Sequence, residues 1–541
     1  MVVIERPPLW SRTAAVSIGV LTVALRLLSL RNLPNDHYMH LVWANEVLAG
    51  QVPGRDFVDP GMPLMYLLSA AVQAVSQTPF ADAVLWTVLL AVATACVCLV
   101  TARLTSSTLA GVLAGLIALA MEPRLYSAPK VLVPAVGLLL LHRYATSPGT
   151  RGLVGLAAWT TVAGLLRHDL GAYNALGVLV GLVVLHVRQP RVLARSTVTY
   201  VAVLLVCVLP YALFVQLSEG VAEHLRVGLE ESKIEAHRLL ARLPDFPFFA
   251  QSNATWSRVD SAAALFSAAR LLPFVGLALL IWDRRRMPTP VSATAAAACA
   301  TLAAYGAFVL RHPAEARAPD VAALVPIVTA WLCLQIGRHR PRALWSSFGL
   351  IVLVSTLGAA GHMSGSLDRL DDAQVWRGVE KMRLRAAAVH EEGSVWPWER
   401  FWSQGDFPPV IAYLNACTRP NDRVLVAWFE PEIYYFSKRL MAGGVTAFYP
   451  GRTFSADADQ RRIIERMEAV RVPVVLTNDG RDPVRNMPLL DAHLQRHYTA
   501  AGRYTSYDGG VVTISTRREL IPTTTYGPDA WPCALDDPPA R

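Results

Sequence analysis

The segment Asn35-Asp36-His37-Tyr38-Met39-His40 holds a carboxylate and two imidazoles directly after the first apolar stretch. A carboxylate at a membrane–water boundary is a candidate general base, with His37 beside it as a second proton-handling group. The competing structural role is a helix N-cap, since Asp36 precedes the apolar-periodic run Tyr38–Leu48. Further on, Gly50-Gln51-Val52-Pro53-Gly54-Arg55-Asp56-Phe57-Val58-Asp59-Pro60-Gly61 places two carboxylates and an arginine within five residues. Asp56 and Asp59 are placed to orient an acceptor hydroxyl. Asp36 and Asp59 together are candidate ligands for a hard divalent cation such as Mg2+ or Mn2+. A rigid turn carrying an Arg55–Asp56 surface pair is the bland alternative.

Three more turns carry unusual charge beside apolar blocks. Met121-Glu122-Pro123-Arg124-Leu125-Tyr126 leads to Pro129-Lys130, Arg167-His168-Asp169 separates two short blocks, and Arg311-His312-Pro313 ends another. Charge at the hydrocarbon edge is costly unless it is paired or used. A guanidinium fork at Arg55, Arg124 or Arg167 and the point charge of Lys130 suit a phosphate. His168, Asp169 and His312 are then candidates for orienting the acceptor. Snorkelling or an internal Arg167–Asp169 salt bridge is the structural alternative.

The elements that must position these residues are apolar helices. Candidate spans run roughly over 12–30, 82–102, 107–121, 130–142, 152–167, 170–187, 197–217, 262–282, 291–310, 320–336 and 343–361. With the N-terminus in the cytoplasm, the inside connections hold Arg103, Arg143–Arg151, Arg188–Arg195, Arg284-Arg285-Arg286 and Arg338–Arg342. That is a positive-inside pattern. The stretch Met62–Thr78 begins among prolines and carries Gln73 and Gln77, so it reads as a helix lying at the outer interface. Two long outer loops result, 32–82 and 218–261. The second opens with Val221–Leu243, either a helix with a solvated face or a lid.

Composition agrees. The 541-residue chain is 53% hydrophobic and 17% charged, with mean hydropathy +0.35, well below the charge content of soluble domains. The net charge of +9 is spread over loop after loop, with lysine at only four positions. A nucleic-acid binder would gather it into one basic surface. The seven cysteines show no CxxC spacing, which argues against a structural zinc site. Cys417 and Cys533 both fall in the tail and can pair if it faces an oxidising compartment.

From about residue 363 the chain reads as a separate domain. The pattern predicts strands at Arg423–Trp428, Val445–Phe448, Val472–Thr477, Tyr504–Ser506 and Val511–Ser515. Helices are expected near Pro431–Arg439, Ala458–Val470 and Pro488–Tyr498, giving a small α/β domain. No glycine-rich phosphate loop follows the first strand, so no nucleotide is expected. Pro522–Arg541 reads as an irregular extension.

In this order and sidedness, the chain resembles the GT-C superfamily of polyprenyl-phosphate-sugar-dependent glycosyltransferases. It is most similar to the protein mannosyltransferase and lipid A aminoarabinose transferase group. The resemblance implies a polytopic α-helical membrane protein of about 11 transmembrane helices (1–362) with a small extracytoplasmic α/β domain (363–541). In that family the acidic residue after the first span is catalytic, which falls on Asp36. The family's acidic-basic-proline-proline-leucine patch falls on Asp59-Pro60-Gly61-Met62-Pro63-Leu64, which lacks the adjacent lysine. Arg55, Arg124, Lys130 or Arg167 would have to substitute at the donor phosphate. The implied activity is hexosyl or pentosyl transfer, with inversion, to a lipid, glycan or protein acceptor on the outer face of a bacterial inner membrane. A transporter would show internal repeats and polar segments near mid-membrane. An envelope polymerase or ligase would use a lipid pyrophosphate donor and fits the large tail poorly.

Overall fold

A computed structural model of the protein describes residues 9–59, 61–238, 258–283, 287–310, 315–339, 363, 365–394, 407–448, 454–479, 483–506 and 509–533. The fold is polytopic and α-helical with a small α/β domain. The chain divides into two compact units. The first comprises residues 1–30, 83–211 and 239–389, and the second residues 31–82, 212–238 and 390–541.

The first unit is a helical bundle of α1 (Leu9–Leu28), α4 (Pro79–Thr105, from residue 83), α5 (Thr108–Ala120), α6 (Ala128–Thr146), α7 (Thr150–Leu166), α8 (His168–His186), α9 (Pro190–Ser218, to residue 211), α11 (Arg258–Asp283), α12 (Thr289–Leu310) and α13 (Leu324–His339). Among the described residues, seven helices are long and apolar enough to cross a membrane: 10–28, 79–105, 125–146, 168–186, 190–218, 265–283 and 289–309. Shorter helices α5, α7 and α13 stand at three more of the expected spans. The span expected at 343–361 lies outside the described residues.

Small residues bring these helices close. A Cβ on Gly171 of α8 would stand 2.6 Å from the Cα of Gly164 in α7, so these two helices touch backbone to backbone. The alanine-rich α12 is largely buried. By contrast α9 leaves Val198, Leu205, Val206 and Leu209 exposed, an apolar surface suited to lipid.

The second unit is built on a five-stranded sheet of order β2-β1-β3-β5-β4. Its strands are β1 (Arg423–Val426), β2 (Leu440–Met441), β3 (Val474–Asn478), β4 (Tyr498–Thr505) and β5 (Val511–Arg517). β2, β1 and β3 run parallel; β5 is antiparallel to β3 and pairs with β4. Valines and leucines of β1 and β3 are buried on both faces, as a covered parallel sheet requires. Helices Pro431–Ser437, Asp457–Glu468 and Pro488–His497 connect the strands.

Two expectations about the tail are corrected. Val445–Phe448 is buried but is not a strand; Leu440–Met441 takes the edge position instead. Gly443 and Gly444, at φ 74° and 71°, turn the chain away after β2 in a conformation that only glycine adopts freely. The region after 522 is not wholly irregular, because β6 (Thr524–Tyr526) pairs with β7 (Trp531–Cys533). Cys533 is joined to Cys417 by a disulfide across 116 residues, which ties that hairpin to the helix Pro408–Cys417.

Three further elements belong to the second unit: α2 (Asn35–Leu48), α3 (Pro63–Gln73) and α10 (Val221–Arg238). The helix expected over Val221–Leu243 is described only to Arg238. α2 is buried along Tyr38, Leu41, Val42, Trp43 and Ala44. Tyr38 stacks on Tyr435 and Phe436 at centroid distances of 5.6 and 5.2 Å.

Candidate functional site

α2 starts two residues earlier than the N-cap reading of Asp36 requires. Pro34 occupies the cap position with φ −74° and ψ 159°, and no side chain caps the helix. Asp36 therefore lies inside the first turn, half-buried, where the helix dipole favours a carboxylate. The proline ends the preceding extended segment and cannot donate, so the helix begins directly after it.

Its neighbours are fixed on both sides. Asn35 Nδ2 donates to Glu430 Oε2 at 3.0 Å. His37 Nε2 stands 2.5 Å from Asp82 Oδ2, with both side chains fully buried. The His37–Asp82 pair is thus withdrawn from solvent.

Farther along α2, Glu46 is 1% exposed. It accepts from the Met441 backbone N–H at 2.7 Å and from Arg423 Nη1 at 3.1 Å. Burial pushes its carboxyl above the usual value, against the pull of Arg423 and the Met441 N–H. The helix is thus keyed into the edge of the sheet.

The acidic loop after α2 is held by the α/β domain. Arg466 Nη2 donates to the carbonyls of Gly54 and Arg55 at 3.2 and 2.7 Å, and Val58 N–H donates to Gly444 O at 2.9 Å. Asp56 accepts from Val52 N–H at 2.7 Å and takes the Arg55 fork at 2.9 and 2.8 Å. The Arg55 hydrogen bonds hold the Asp56 carboxyl below its usual range. Arg55 is 62% exposed, so this is the surface pair and contributes little to stability. Asp59 is buried and accepts from Gly61 N–H at 2.9 Å.

Both Asp56 oxygens and one Asp59 oxygen accept protein hydrogen bonds, and no cluster of three His, Cys, Asp or Glu side chains suited to a metal occurs among the described residues.

α10 closes on this loop. Arg226 Nη2 reaches Asp459 Oδ1 at 3.0 Å, and Arg462 Nη2 reaches Glu223 Oε1 at 3.0 Å. Hydrogen bonds from Arg226 and Arg462 draw the Glu223 carboxyl down to about 2. His224 Nδ1 lies 2.6 Å from Glu219 Oε1, and Glu219 packs against Gly54, where an added Cβ would meet its Cδ at 2.9 Å. The Glu219 hydrogen bond and the nearby Asp59 charge raise the His224 pKa above 6.5 against the opposing effect of burial. A raised folded-state pKa contributes stability that is fully present below the unfolded value and is lost as pH rises through the folded one. Amide protection of 221–229 should therefore fall as pH rises above 6.5, and His224→Gln should flatten that dependence. Hydrogen exchange against pH checks this; a sloping profile in His224→Gln would assign it to another group.

The other basic candidates, Arg124, Lys130 and Arg167, lie in the first unit, the last two where the ends of α6, α7–α8 and α12 meet. Lys130 Nζ bonds Asp320 Oδ2 at 2.7 Å. Arg167 grips Asp169 through two bonds of 2.6 and 2.5 Å. Around Phe308 stand Arg167 Cζ at 4.7 Å, Arg317 Cζ at 5.7 Å and Lys130 Nζ at 5.9 Å from the ring centroid. Three cations share one aromatic ring, an arrangement that lowers their desolvation cost. Arg124 Nη1 donates to the Tyr126 hydroxyl at 2.9 Å. The His168 ring lies 5.7 Å from that of Tyr211. Arg26, the charge inside the first span, pairs with Glu122 at 3.3 Å. His312, Pro60 and Arg284–Arg286 lie outside the described residues.

Sequence reasoning missed Asp82, Glu430, Arg317 and Asp320. Asp82 and Asp320 each open an apolar stretch, and that position was the available signal. No family model and no curated protein matches the chain. Among solved structures it is similar to the crystal structure of ArnT from Cupriavidus metallidurans bound to undecaprenyl phosphate, at 15% identity and a TM-score of 0.49, over 93% of this chain and 97% of that one.

Proposed function

We propose that the protein is a membrane glycosyltransferase moving a hexosyl or pentosyl group from a polyprenyl monophosphate carrier to a hydroxyl of a lipid, glycan or protein acceptor. The observation that carries the reading is the gathering of Lys130, Arg167 and Arg317 around Phe308 at the helix ends. Lys130 is paired with Asp320 and Arg167 with Asp169, and Arg317 stands beside them on the same ring. A lipid phosphodiester brings one negative charge, and a second develops as the glycosidic C–O bond breaks.

In this mechanism Asp36 takes the proton of the acceptor hydroxyl while its oxygen attacks the anomeric carbon. The carrier departs as a phosphate monoester with the bonding electron pair, and the anomeric centre inverts. Lys130, Arg167 and Arg317 compensate the growing charge, worth several kcal/mol in a site shielded from water. The phosphate competes with Asp169 and Asp320 for these cations, which would otherwise repel one another.

The positive-inside pattern supports a cytoplasmic N-terminus in a bacterial inner membrane. The Cys417–Cys533 disulfide supports an extracytoplasmic α/β domain, because such bonds persist in oxidising compartments. The test is transfer by purified protein in lipid from a panel of labelled polyprenyl-monophosphate sugars, with acceptors extracted from the native membrane. Label reaching an acceptor supports the reading. No transfer from any donor in the panel sinks it.

A further inference from the structure

We propose that Asp82, acting through His37, is a positioning residue that fixes the rotation of α2 about its own axis, with Asn35 as its counterpart, so that the carboxylate of Asp36 is presented in one direction. This rests on the reading of Asp36 as the base.

The first turn of α2 lacks a side-chain cap, and an uncapped first turn frays readily. Here its orientation is set laterally instead. Successive helical residues are about 100° apart, so Asn35 and His37 project to either side of Asp36. Both are tethered, Asn35 to Glu430 at 3.0 Å and His37 to Asp82 at 2.5 Å. Two tethers flanking one residue oppose rotation in both senses. A third acts from farther along: Glu46 accepts from Met441 N–H and Arg423.

The Asp82 environment argues for orientation over simple packing. His37 and Asp82 are both 0% exposed, and the Oδ1 of Asp82 has no hydrogen-bond partner among the described residues. A buried carboxylate with a single strong partner stabilises a fold poorly compared with an apolar side chain of like size. What it provides is direction: an imidazole N–H aimed at a carboxylate oxygen tolerates little rotation. Asp82 itself sits in a first helical turn.

A shift of about 1 Å at a catalytic group costs on the order of 100-fold in rate. Asp82→Ala should therefore lower kcat by about that factor, with the donor KM within about twofold, because bound donor does not depend on the direction of Asp36. Asp82→Asn keeps an acceptor for His37 and should recover most of the loss. Asn35→Ala, on the half-exposed side of the turn, should lower kcat by about tenfold with KM unchanged, and it carries the test if Asp82→Ala does not fold. A purely structural role predicts instead a reduced fraction of active protein with normal turnover per active site. Wild-type transfer together with full kcat in a folded Asp82→Ala, or in Asn35→Ala where Asp82→Ala does not fold, overturns the inference alone. Absence of transfer in the wild type removes the glycosyltransferase reading first.

Discussion

Asp36→Asn should abolish transfer, with kcat reduced by at least about 1,000-fold, while the protein accumulates in the membrane at its normal level. The amide keeps the size and hydrogen-bonding reach of the carboxylate but cannot accept the acceptor's proton. General-base assistance contributes about 100- to 10,000-fold, and the upper part of that range applies where the nucleophile is an unactivated sugar or lipid hydroxyl. Stability should hardly change. Asp36 is half-buried in the first turn of α2, where a lost charge–dipole interaction costs about 0.3–1 kcal/mol. Initial rates with saturating labelled donor, together with a melting curve in detergent, separate the two effects. Full activity in the variant would remove Asp36 from the mechanism, and an equal fall in donor affinity would recast it as a binding group.

How much of this was legible in the sequence depends on the range of the interaction. Apolar length and composition are local, and the helices stand where the hydropathy blocks fall, from α1 through α13. The Arg55–Asp56 and Arg167–Asp169 pairs were readable for the same reason, being one and two residues apart. The partners that define the site are not local. His37 meets Asp82 across 45 residues, Lys130 meets Asp320 across 190, and Glu46 meets Met441 across 395. No periodicity encodes which acid finds which base. His37 accordingly reads as catalytic beside Asp36 in the sequence, and its complete burial against Asp82 is visible only in the fold.

The tail shows the same division. Val445–Phe448 has strand composition, yet Gly443 and Gly444 turn the chain away, and the Gly444 carbonyl is taken by Val58 N–H of the acidic loop. β6 and β7 were hidden by proline and aspartate. Their pairing depends on Cys417, over 100 residues earlier, and on Gly502, where an added Cβ would meet Trp531 at 2.6 Å.

Glu46→Ala should be the most destabilising single substitution in the second unit outside its apolar core. The side chain is 1% exposed and serves two donors at once. Its removal leaves the Arg423 guanidinium short of its counter-ion and the Met441 N–H without an acceptor at the sheet edge. Breaking one half of a buried ion pair costs about 3–5 kcal/mol, and an orphaned buried N–H costs about 1–3 kcal/mol; because the two losses share one site they are not additive. Glu46→Gln should cost much less than Ala, since its amide oxygen still accepts from Met441 N–H. The pH dependence fixes the sign. Burial raises the folded-state pKa of Glu46 above 4.5, so the native state binds the proton more tightly than the unfolded chain. The contribution of this group to stability thus declines as pH rises from about 4.5 through the folded value, the reverse of an ordinary surface carboxylate. Thermal melts in detergent across pH 4–8 should show wild type and Gln both above Ala, with the wild type losing ground to Glu46→Gln as pH rises, because only wild type carries the declining component. If Ala melted with wild type, the sheet edge would have another anchor, and α2 would owe its place to Tyr38 stacking and the His37 tether alone.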